Sequence, residues 1–239
     1  MRRFYAPPSS IDGSNVRLDA DETRHLRDVL RIRGGAEVAV FDGEGREYSC
    51  LVKQVGKAST ELELIVETPP RSPESDLRLT LAPAILKNDR FDVVVQKAVE
   101  LGVDTLVPLM TVRCEVQPRD MEKRLDRMRR IALEATKQSG RAKLMKISRV
   151  TEFGDLIAAE DVNKLLMFSE REGRPFSSVT ETKTLTAIIG PVGGWDDSEL
   201  GLALSNGVTV VTLGGRILRA ETASISIATI LQHRYGDIN

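Results

Sequence analysis

Two glycine-rich stretches near the C-terminus carry the residue types best suited to chemistry. The first is GPVGGW at 190–195, and the second is LGGRILRAETA at 213–223. Each follows a short apolar run typical of a buried strand, 185–189 and 208–213. Glycine lets backbone N–H and C=O groups approach a ligand where a Cβ would block them. Because ligands bind at strand carboxyl ends in parallel α/β sheets, we expect the two turns to form one pocket.

The second stretch combines charge with apolar side chains. Its Arg216, Arg219 and Glu221 lie beside Ile217 and Leu218. One interpretation is a helix start, because an acidic residue in the first turn stabilises a helix. The other is a binding loop in which the apolar pair forms a wall for a planar ring and an arginine faces an anion. The two interpretations are compatible. The first stretch alone is weaker evidence, since such turns are common between a strand and a helix.

A proline-rich connector at 68–76 divides the chain. Before it the pattern is mostly β. Strands are predicted at 36–41, 48–55 and 60–66, with a hairpin turn at 42–45. One helix fits 21–30, capped by Asp19 or Asp21, with an apolar face of Leu26, Val29 and Leu30. These elements predict a small β-barrel domain over 1–70.

After the connector, strands alternate with helices. Leu77, Leu79 and Leu81 alternate along a strand, and further strands are predicted at 104–110, 164–168, 185–189 and 208–213. Helices are predicted at 89–101, 119–139, 153–159 and 221–234. The alternation predicts an α/β domain over 77–239, with a mostly parallel sheet covered on both faces.

Composition excludes several classes of protein. The 239 residues carry a formal charge of −1, and no apolar run is long enough to span a membrane. The N-terminus lacks the apolar segment of a secretory signal, so we expect a cytoplasmic protein. Cys50, Cys114, His25 and His233 are scattered, which predicts buried cysteines, no disulfide framework and no metal site.

Charge is distributed unevenly along the chain. Residues 119–149 hold eleven Lys or Arg and four Asp or Glu, and further basic residues cluster at the N-terminus and at 24–33. Single patches of this kind are usually solvated helix faces, but three of them favour a polyanionic partner.

Familiar catalytic signatures are missing. The chain has no GxxxxGK[ST], no GxGxxG after the first strand, no GxSxG and no HExxH, which leaves a P-loop NTPase or an NAD-type dehydrogenase with little support. It also lacks a histidine well placed as a general base. Any chemistry must therefore use backbone groups, carboxylates and arginines.

The two glycine-rich stretches resemble the cofactor loops of SPOUT methyltransferases, most closely the RsmE family, which methylates N3 of a uridine in 16S ribosomal RNA. That family typically has GPEGG-F followed by LG-x-RILR-x-ETA. The similarity covers nearly the whole chain, and the RILR-x-ETA string is its most specific part. Other matching segments are KNDR at 87–90, QKAVELGV at 96–103, Glu134-Ala135 with QSGR at 138–141, MRRFY at 1–5 and HLRDVLR at 25–31.

The resemblance implies a PUA-like β-barrel RNA-binding domain over 1–70, followed by a SPOUT α/β methyltransferase domain over 77–239 with a C-terminal trefoil knot. It implies S-adenosylmethionine as the methyl donor and 16S rRNA or the small ribosomal subunit as the partner, in ribosome biogenesis. It also implies a homodimer with composite active sites.

The resemblance also indicates site residues. The expected cofactor contacts are Gly190, Pro191, Val192, Gly193, Gly194, Leu213, Gly214, Ile217, Leu218 and Ala223. Uridine N3–H must lose its proton before N3 can accept a methyl group. Arg219 or Arg216 could stabilise the anionic ring, and Glu221 could accept the proton, unless it serves only as a helix N-terminal charge. The expected RNA contacts are Arg2, Arg3, Arg24, Arg27 and Arg31, with Arg141 and Lys143 as further phosphate contacts.

Two positions depart from the family pattern. Val192 stands where the family usually has glutamate, and Trp195 stands in place of phenylalanine. Two alternatives stay open, and the loss of a carboxylate at position 192 bears on the second of them. The chain could be a different SPOUT methyltransferase, acting on tRNA or on a ribose 2′-hydroxyl, or an RNA-binding homologue that has lost activity.

Overall fold

The computed structural model describes residues 1–87, 89–116, 120–180 and 182–238. The chain folds into two units. Unit 1 comprises Met1–Glu74 and Thr136–Leu144, and unit 2 comprises Ser75–Ala135 and Met145–Asn239. The short return segment, Thr136–Leu144, assigns Arg141 and Lys143 to the same unit as the N-terminal arginines. Sequence continuity gives no sign of this return.

Unit 1 is built on one six-stranded sheet. Its strands lie in the order β1-β4-β5-β6-β3-β2, with β1 parallel to β4 and the other pairs antiparallel. Their bounds are β1 (Arg3–Tyr5), β2 (Ile11–Asp12), β3 (Asn15–Leu18), β4 (Glu37–Phe41), β5 (Glu47–Val55) and β6 (Thr60–Thr68). The predicted hairpin is confirmed. The Asp42 carboxylate closes it by accepting hydrogen bonds from the backbone N–H groups of Glu44 (2.7 Å) and Arg46 (3.0 Å).

The predicted helix at 21–30 is two different turns. An α-helix, α1 (Ala20–Arg24), is capped by Asp19, whose carboxylate accepts from the Glu22 N–H at 2.8 Å, and a π-helical turn, His25–Val29, follows directly. A π-turn contains more residues than an α-turn, so it rotates later side chains away from the expected face. Leu26 is fully buried, whereas Val29 is 65% exposed, so the predicted apolar face was wrong for Val29.

Unit 2 contains a seven-stranded sheet in which every pair is parallel, as predicted. Its order is β10-β8-β7-β14-β12-β15-β13, and β9 and β11 form a separate parallel pair. The bounds are β7 (Arg78–Pro83), β8 (Thr105–Leu106), β9 (Leu109–Met110), β10 (Lys146–Ile147), β11 (Thr151–Glu152), β12 (Leu165–Phe168), β13 (Arg174–Pro175), β14 (Thr184–Ile189) and β15 (Thr209–Thr212). The single strand expected at 104–110 is divided between β8 and β9, because Pro108 has no N–H to donate to a sheet.

Helices cover both faces of this sheet. Their bounds are α2 (Asp89–Glu100), α3 (Met121–Ser139), α4 (Phe153–Ala159), α5 (Asp197–Ser205) and α6 (Ala220–Tyr235). Successive side chains of β14 point to opposite faces, so Ala187 and Ile189 belong to the core containing α2 and α6 residues, and Ile188 belongs to the core containing α4 and α5 residues. Two sequence assignments, the start of α3 at Arg119 and the Asn88 position of the KNDR segment, lie outside the described residues. No helix in the described ranges is long and apolar enough to cross a membrane.

Candidate active site

Three loops of unit 2 surround one cavity of about 380 Å³. They follow β12, β14 and β15, which are neighbours in the sheet with β12 in the middle. Parallel strands place their carboxyl ends at one edge, so the three loops meet there. A volume in this range suits a small-molecule ligand.

The lining includes most of the predicted residues. These are Gly190, Pro191, Val192, Leu213, Gly214, Arg216, Ile217, Leu218, Arg219 and Ala223. Three predicted residues, Gly193, Gly194 and Glu221, are not among the lining residues. Sequence reasoning missed the β12 loop entirely, and with it Phe168, Ser169 and Glu170. A short apolar strand followed by ordinary polar residues carries no motif, and only the strand order shows that it enters the site.

Trp195 anchors the loop after β14 from beneath. Its side chain is fully buried, and its indole N–H donates to the carbonyl oxygen of Phe168 at 2.8 Å, which joins the β14 loop to the β12 loop. A Cβ at Gly190 would lie 2.9 Å from the indole ring, so glycine there allows the backbone to rest on the ring. The tryptophan therefore links two of the three loops through a buried hydrogen bond.

Two arginines hold the same loop from outside. The backbone carbonyl of Trp195 accepts hydrogen bonds from Arg113 (3.1 Å) and Arg171. Arg113 also pairs with Asp196 at 3.2 Å. Asp196 caps α5 in a reciprocal capping box with Glu199. The helix start and the arginines together determine where the glycine turn ends.

The loop after β15 presents charge and apolar surface. Gly214 has φ +87°, in the left-handed region that favours glycine, and its N–H donates to the Thr212 hydroxyl at 3.2 Å. Ile217 is 83% exposed and Leu218 is 38% exposed, so the loop offers apolar side chains to a ligand. Arg216 and Arg219 are exposed, and neither guanidinium pairs with a carboxylate among the described residues. Both cations are thus available at the cavity.

Glu221 lies in the first turn of α6, beyond the lining. It is half-buried, and its Oε2 is buried without a hydrogen-bond partner in the described part of the chain. Leaving such a buried acceptor unpaired is costly to the stability of a folded protein.

Comparisons with known proteins match this architecture over the whole chain. A family model described as the RNA methyltransferase domain matches residues 73–232, and one described as the RNA methyltransferase PUA domain matches residues 18–65. Ribosomal RNA small subunit methyltransferase E of Aquifex aeolicus is 32% identical over 98% of this chain and 100% of its own length. The chain belongs to the ribosomal RNA small subunit methyltransferase E family.

Solved structures of similar proteins agree with this membership. Methyltransferase E of Neisseria gonorrhoeae, bound to S-adenosylmethionine, has a TM-score of 0.92 at 32% identity, with 100% of both chains covered. A protein of Legionella pneumophila, also with bound S-adenosylmethionine, has a TM-score of 0.91 at 29% identity, covering 99% of this chain and 98% of that one. The expected fold class, a PUA-like domain followed by a SPOUT α/β domain, is confirmed.

Within this methyltransferase E fold, two arginines expected to contact RNA are structural. Arg3 is 9% exposed; its guanidinium forms a forked pair with Glu47 (2.9 and 3.2 Å) and donates to three carbonyl oxygens at 2.9–3.1 Å, those of Thr136, Lys137 and Arg141. Arg141 is 3% exposed, and Glu74 binds its guanidinium at 2.6–3.2 Å. The expectation of phosphate contacts is corrected for both, because their donors are occupied inside unit 1.

The other RNA candidates of this methyltransferase E chain lie nearer the surface of unit 1. Arg2, Arg24 and Arg31 are exposed, although Arg24 pairs with Asp21 at 2.8 Å. Arg27 is half-buried and pairs with Asp28, and Lys143 is half-buried in the return segment. Their role in RNA binding stays a prediction.

The cysteines of this family member differ in burial. Cys50 is fully buried in the unit 1 core, which confirms its prediction as a packing residue, and burial raises the pKa of its thiol to about 12. Cys114 is only half-buried, with its sulfur 3.4 Å from the carbonyl oxygen of Ile85.

Proposed function

We propose that this protein transfers a methyl group from S-adenosylmethionine to N3 of a uridine in 16S ribosomal RNA. One observation carries the proposal: the three-loop cavity contains the RILR-x-ETA loop, in a fold shared over its full length with a methyltransferase E that binds S-adenosylmethionine. The expected glutamate is missing at position 192, but the backbone of that loop keeps its glycine turn, with the Gly194 N–H donating to the Pro191 carbonyl at 3.0 Å.

The residues present fit the cofactor. Leu213, Ile217 and Leu218 give an apolar wall for the adenine ring, and the glycine loops bring backbone polar groups to the edge of the cavity. The guanidinium groups of Arg216 and Arg219, which pair with no carboxylate in the described part of the chain, suit a carboxylate or an anionic base. When bound, the sulfonium cofactor supplies an electrophilic methyl group.

The remaining task of the protein is to make uridine N3 a nucleophile. N3–H is a weak acid, and a cation near the O2 or O4 oxygen stabilises the anionic ring. We assign this role to Arg219, with Arg216 beside it, because both line the cavity. We propose that Glu221, in the first turn of α6 next to this loop, accepts the proton. The base itself must leave any duplex, since N3 lies on the Watson–Crick edge.

We further propose that the barrel domain, 1–70, holds the RNA and that 77–239 carries out the transfer. The proposal assigns phosphate contacts to Arg2, Arg24, Arg27, Arg31 and Lys143. It takes the assembled small subunit or its rRNA as the partner and the cytoplasm as the compartment. The trefoil knot and the homodimer belong to the same proposal.

The test is methyl transfer from labelled S-adenosylmethionine to ribosomal RNA from a strain that lacks this gene, followed by mapping of the modified base. We expect label in 16S rRNA as 3-methyluridine. Label on a ribose 2′-hydroxyl or in tRNA would reject the proposed substrate. Binding of S-adenosylmethionine without transfer to free or subunit-bound rRNA would favour the inactive homologue. Sedimentation of the protein tests the dimer separately.

A further inference from the structure

One charged side chain that lines the cavity lies outside the two glycine-rich stretches from which the cavity was predicted. Glu170 lies two residues beyond the end of β12 and lines the cavity. Its one ion pair among the described residues is with Nε of Arg171, at 3.9 Å. That arginine is already engaged by Asp197 at 2.8 Å and by the Trp195 carbonyl. The Glu170 carboxylate therefore retains most of its capacity to attract a cation.

The neighbouring loop is shaped to receive this carboxylate. A Cβ at position 194 would lie 2.6 Å from Oε1 of Glu170, so any side chain there would displace the carboxylate from its present place. Gly194 also has φ +70°, which disfavours any other residue. The carboxylate of the β12 loop thus lies against the backbone of the β14 loop, which also contains Val192.

The signs of the charges that line the cavity set Glu170 apart from the other lining residues. The charged residues among the described lining are Glu170, Arg216 and Arg219, so Glu170 is the single negative charge there. Val192, on the loop where the family usually has a carboxylate, contributes none. Without Glu170 the lining would be purely cationic and would repel a sulfonium ion.

We propose that Glu170 is the counter-charge by which this site prefers the methylated donor to its demethylated product. The inference rests on the proposed use of S-adenosylmethionine. The donor carries a positive sulfonium that S-adenosylhomocysteine lacks, while both share adenine, ribose and the amino-acid group. A charge pair a few ångströms apart in a partly exposed site changes affinity on the order of tenfold. The product, lacking that charge, is held less tightly and leaves.

The test compares three ligands by isothermal titration calorimetry on the full-length protein. They are S-adenosylmethionine, S-adenosylhomocysteine and 5′-methylthioadenosine. The last keeps the nucleoside and lacks both the sulfonium charge and the charged amino-acid group. We expect Glu170→Gln to weaken the first roughly tenfold, the second less than about threefold and the third hardly at all. Glu172→Gln is the matched control, because it removes an exposed carboxylate of the same loop that does not line this cavity. It should leave all three affinities unchanged.

Two further measurements do not depend on how well the single variant folds. In the wild type, raising the salt concentration should lower the ratio of donor to product affinity, because screening weakens the charge term. In the double variant, Val192→Glu with Glu170→Gln should restore part of that ratio by returning a carboxylate to the cavity.

The outcomes separate this inference from the proposed function. An equal loss for all three ligands would assign Glu170 to the ribose hydroxyls and overturn the inference, as would a donor-to-product ratio that neither salt nor Glu170→Gln changes. A wild-type protein that binds none of the three ligands would reject both the inference and the cofactor itself.

Discussion

The substitution Trp195→Phe tests how the cavity is held together. Phenylalanine is the residue that the RsmE family usually has here, so the change preserves an aromatic ring and removes the indole N–H. The Phe168 carbonyl then loses a 2.8 Å hydrogen bond in a buried site. Leaving a buried acceptor unpaired costs about 1–3 kcal/mol, and shrinking a fully buried ring adds about 1 kcal/mol. We expect the free energy of unfolding to fall by about 2–4 kcal/mol.

The same substitution should also weaken cofactor binding. The lost bond joins the β12 and β14 loops, and ordering a loosened loop on binding costs about 0.5–1.5 kcal/mol, or roughly 2- to 10-fold in Kd. Unfolding in urea is best followed by circular dichroism, because Trp195 is the one tryptophan of the chain and the variant has no indole fluorescence. Calorimetry with S-adenosylmethionine gives the Kd.

A control separates loop fastening from general packing. Phe153 packs on Trp195, with ring centroids 5.1 Å apart, and is 4% exposed in the same apolar core. Phe153→Leu should cost about 1 kcal/mol of stability and leave the cofactor Kd unchanged. If Trp195→Phe changed the unfolding free energy by less than about 0.5 kcal/mol and left the Kd at the wild-type value, the hydrogen bond would not be what positions these loops.

Three further predictions concern unit 1. Arg3→Met leaves Glu47 as an uncompensated buried charge, so the free energy of unfolding in urea should fall by about 3–5 kcal/mol. The control Arg2→Met removes an exposed arginine and should change the free energy of unfolding by no more than about 0.5 kcal/mol. Equal effects of the two substitutions would refute the structural role of Arg3. Burial raises the pKa of Glu22, so the folded protein binds its proton more tightly than the unfolded chain. The stability that this proton binding contributes is therefore fully present below the ordinary glutamate pKa and is lost as the pH rises through the raised pKa. Glu22→Gln should remove this pH-dependent decline in the free energy of unfolding, measured by urea unfolding across this pH range. If the variant showed the same dependence of unfolding free energy on pH as the wild type, the assignment to Glu22 would be wrong. Arg31→Gln should weaken RNA binding and reduce the salt slope by about one ion in filter-binding titrations, and an unchanged slope would exclude a phosphate contact.

Local patterns predicted the elements whose determinants lie close together in the chain. The helix α4 has the predicted bounds, 153–159, and β5 begins one residue before the predicted strand at 48–55. Where the local pattern failed, a specific residue explains it. Pro108 interrupts one strand, and the π-turn at His25–Val29 rotates Val29 into solvent.

The candidate site was predicted from its glycine loops and only in part. Those loops carry conformational demands that a sequence displays, whereas Glu170 follows an ordinary apolar strand and enters the site because β12 lies between β14 and β15. Strand order depends on long-range pairing, which leaves no local mark. Arg3 and Arg141 were assigned to RNA for the same reason: their carboxylate partners, Glu47 and Glu74, are distant in sequence.

The return of residues 136–144 to the N-terminal unit has a consequence for how the chain matures. A fragment ending at Glu74 would contain all six strands of the first sheet, yet Arg3 would lack the three carbonyl oxygens that it meets at 136, 137 and 141. On a translating ribosome, the first unit therefore cannot complete its interior until residue 144 has emerged from the exit tunnel. By then every residue of α2 and α3 has also been synthesised, so unit 1 completes its folding only after these two helices are available to fold as well.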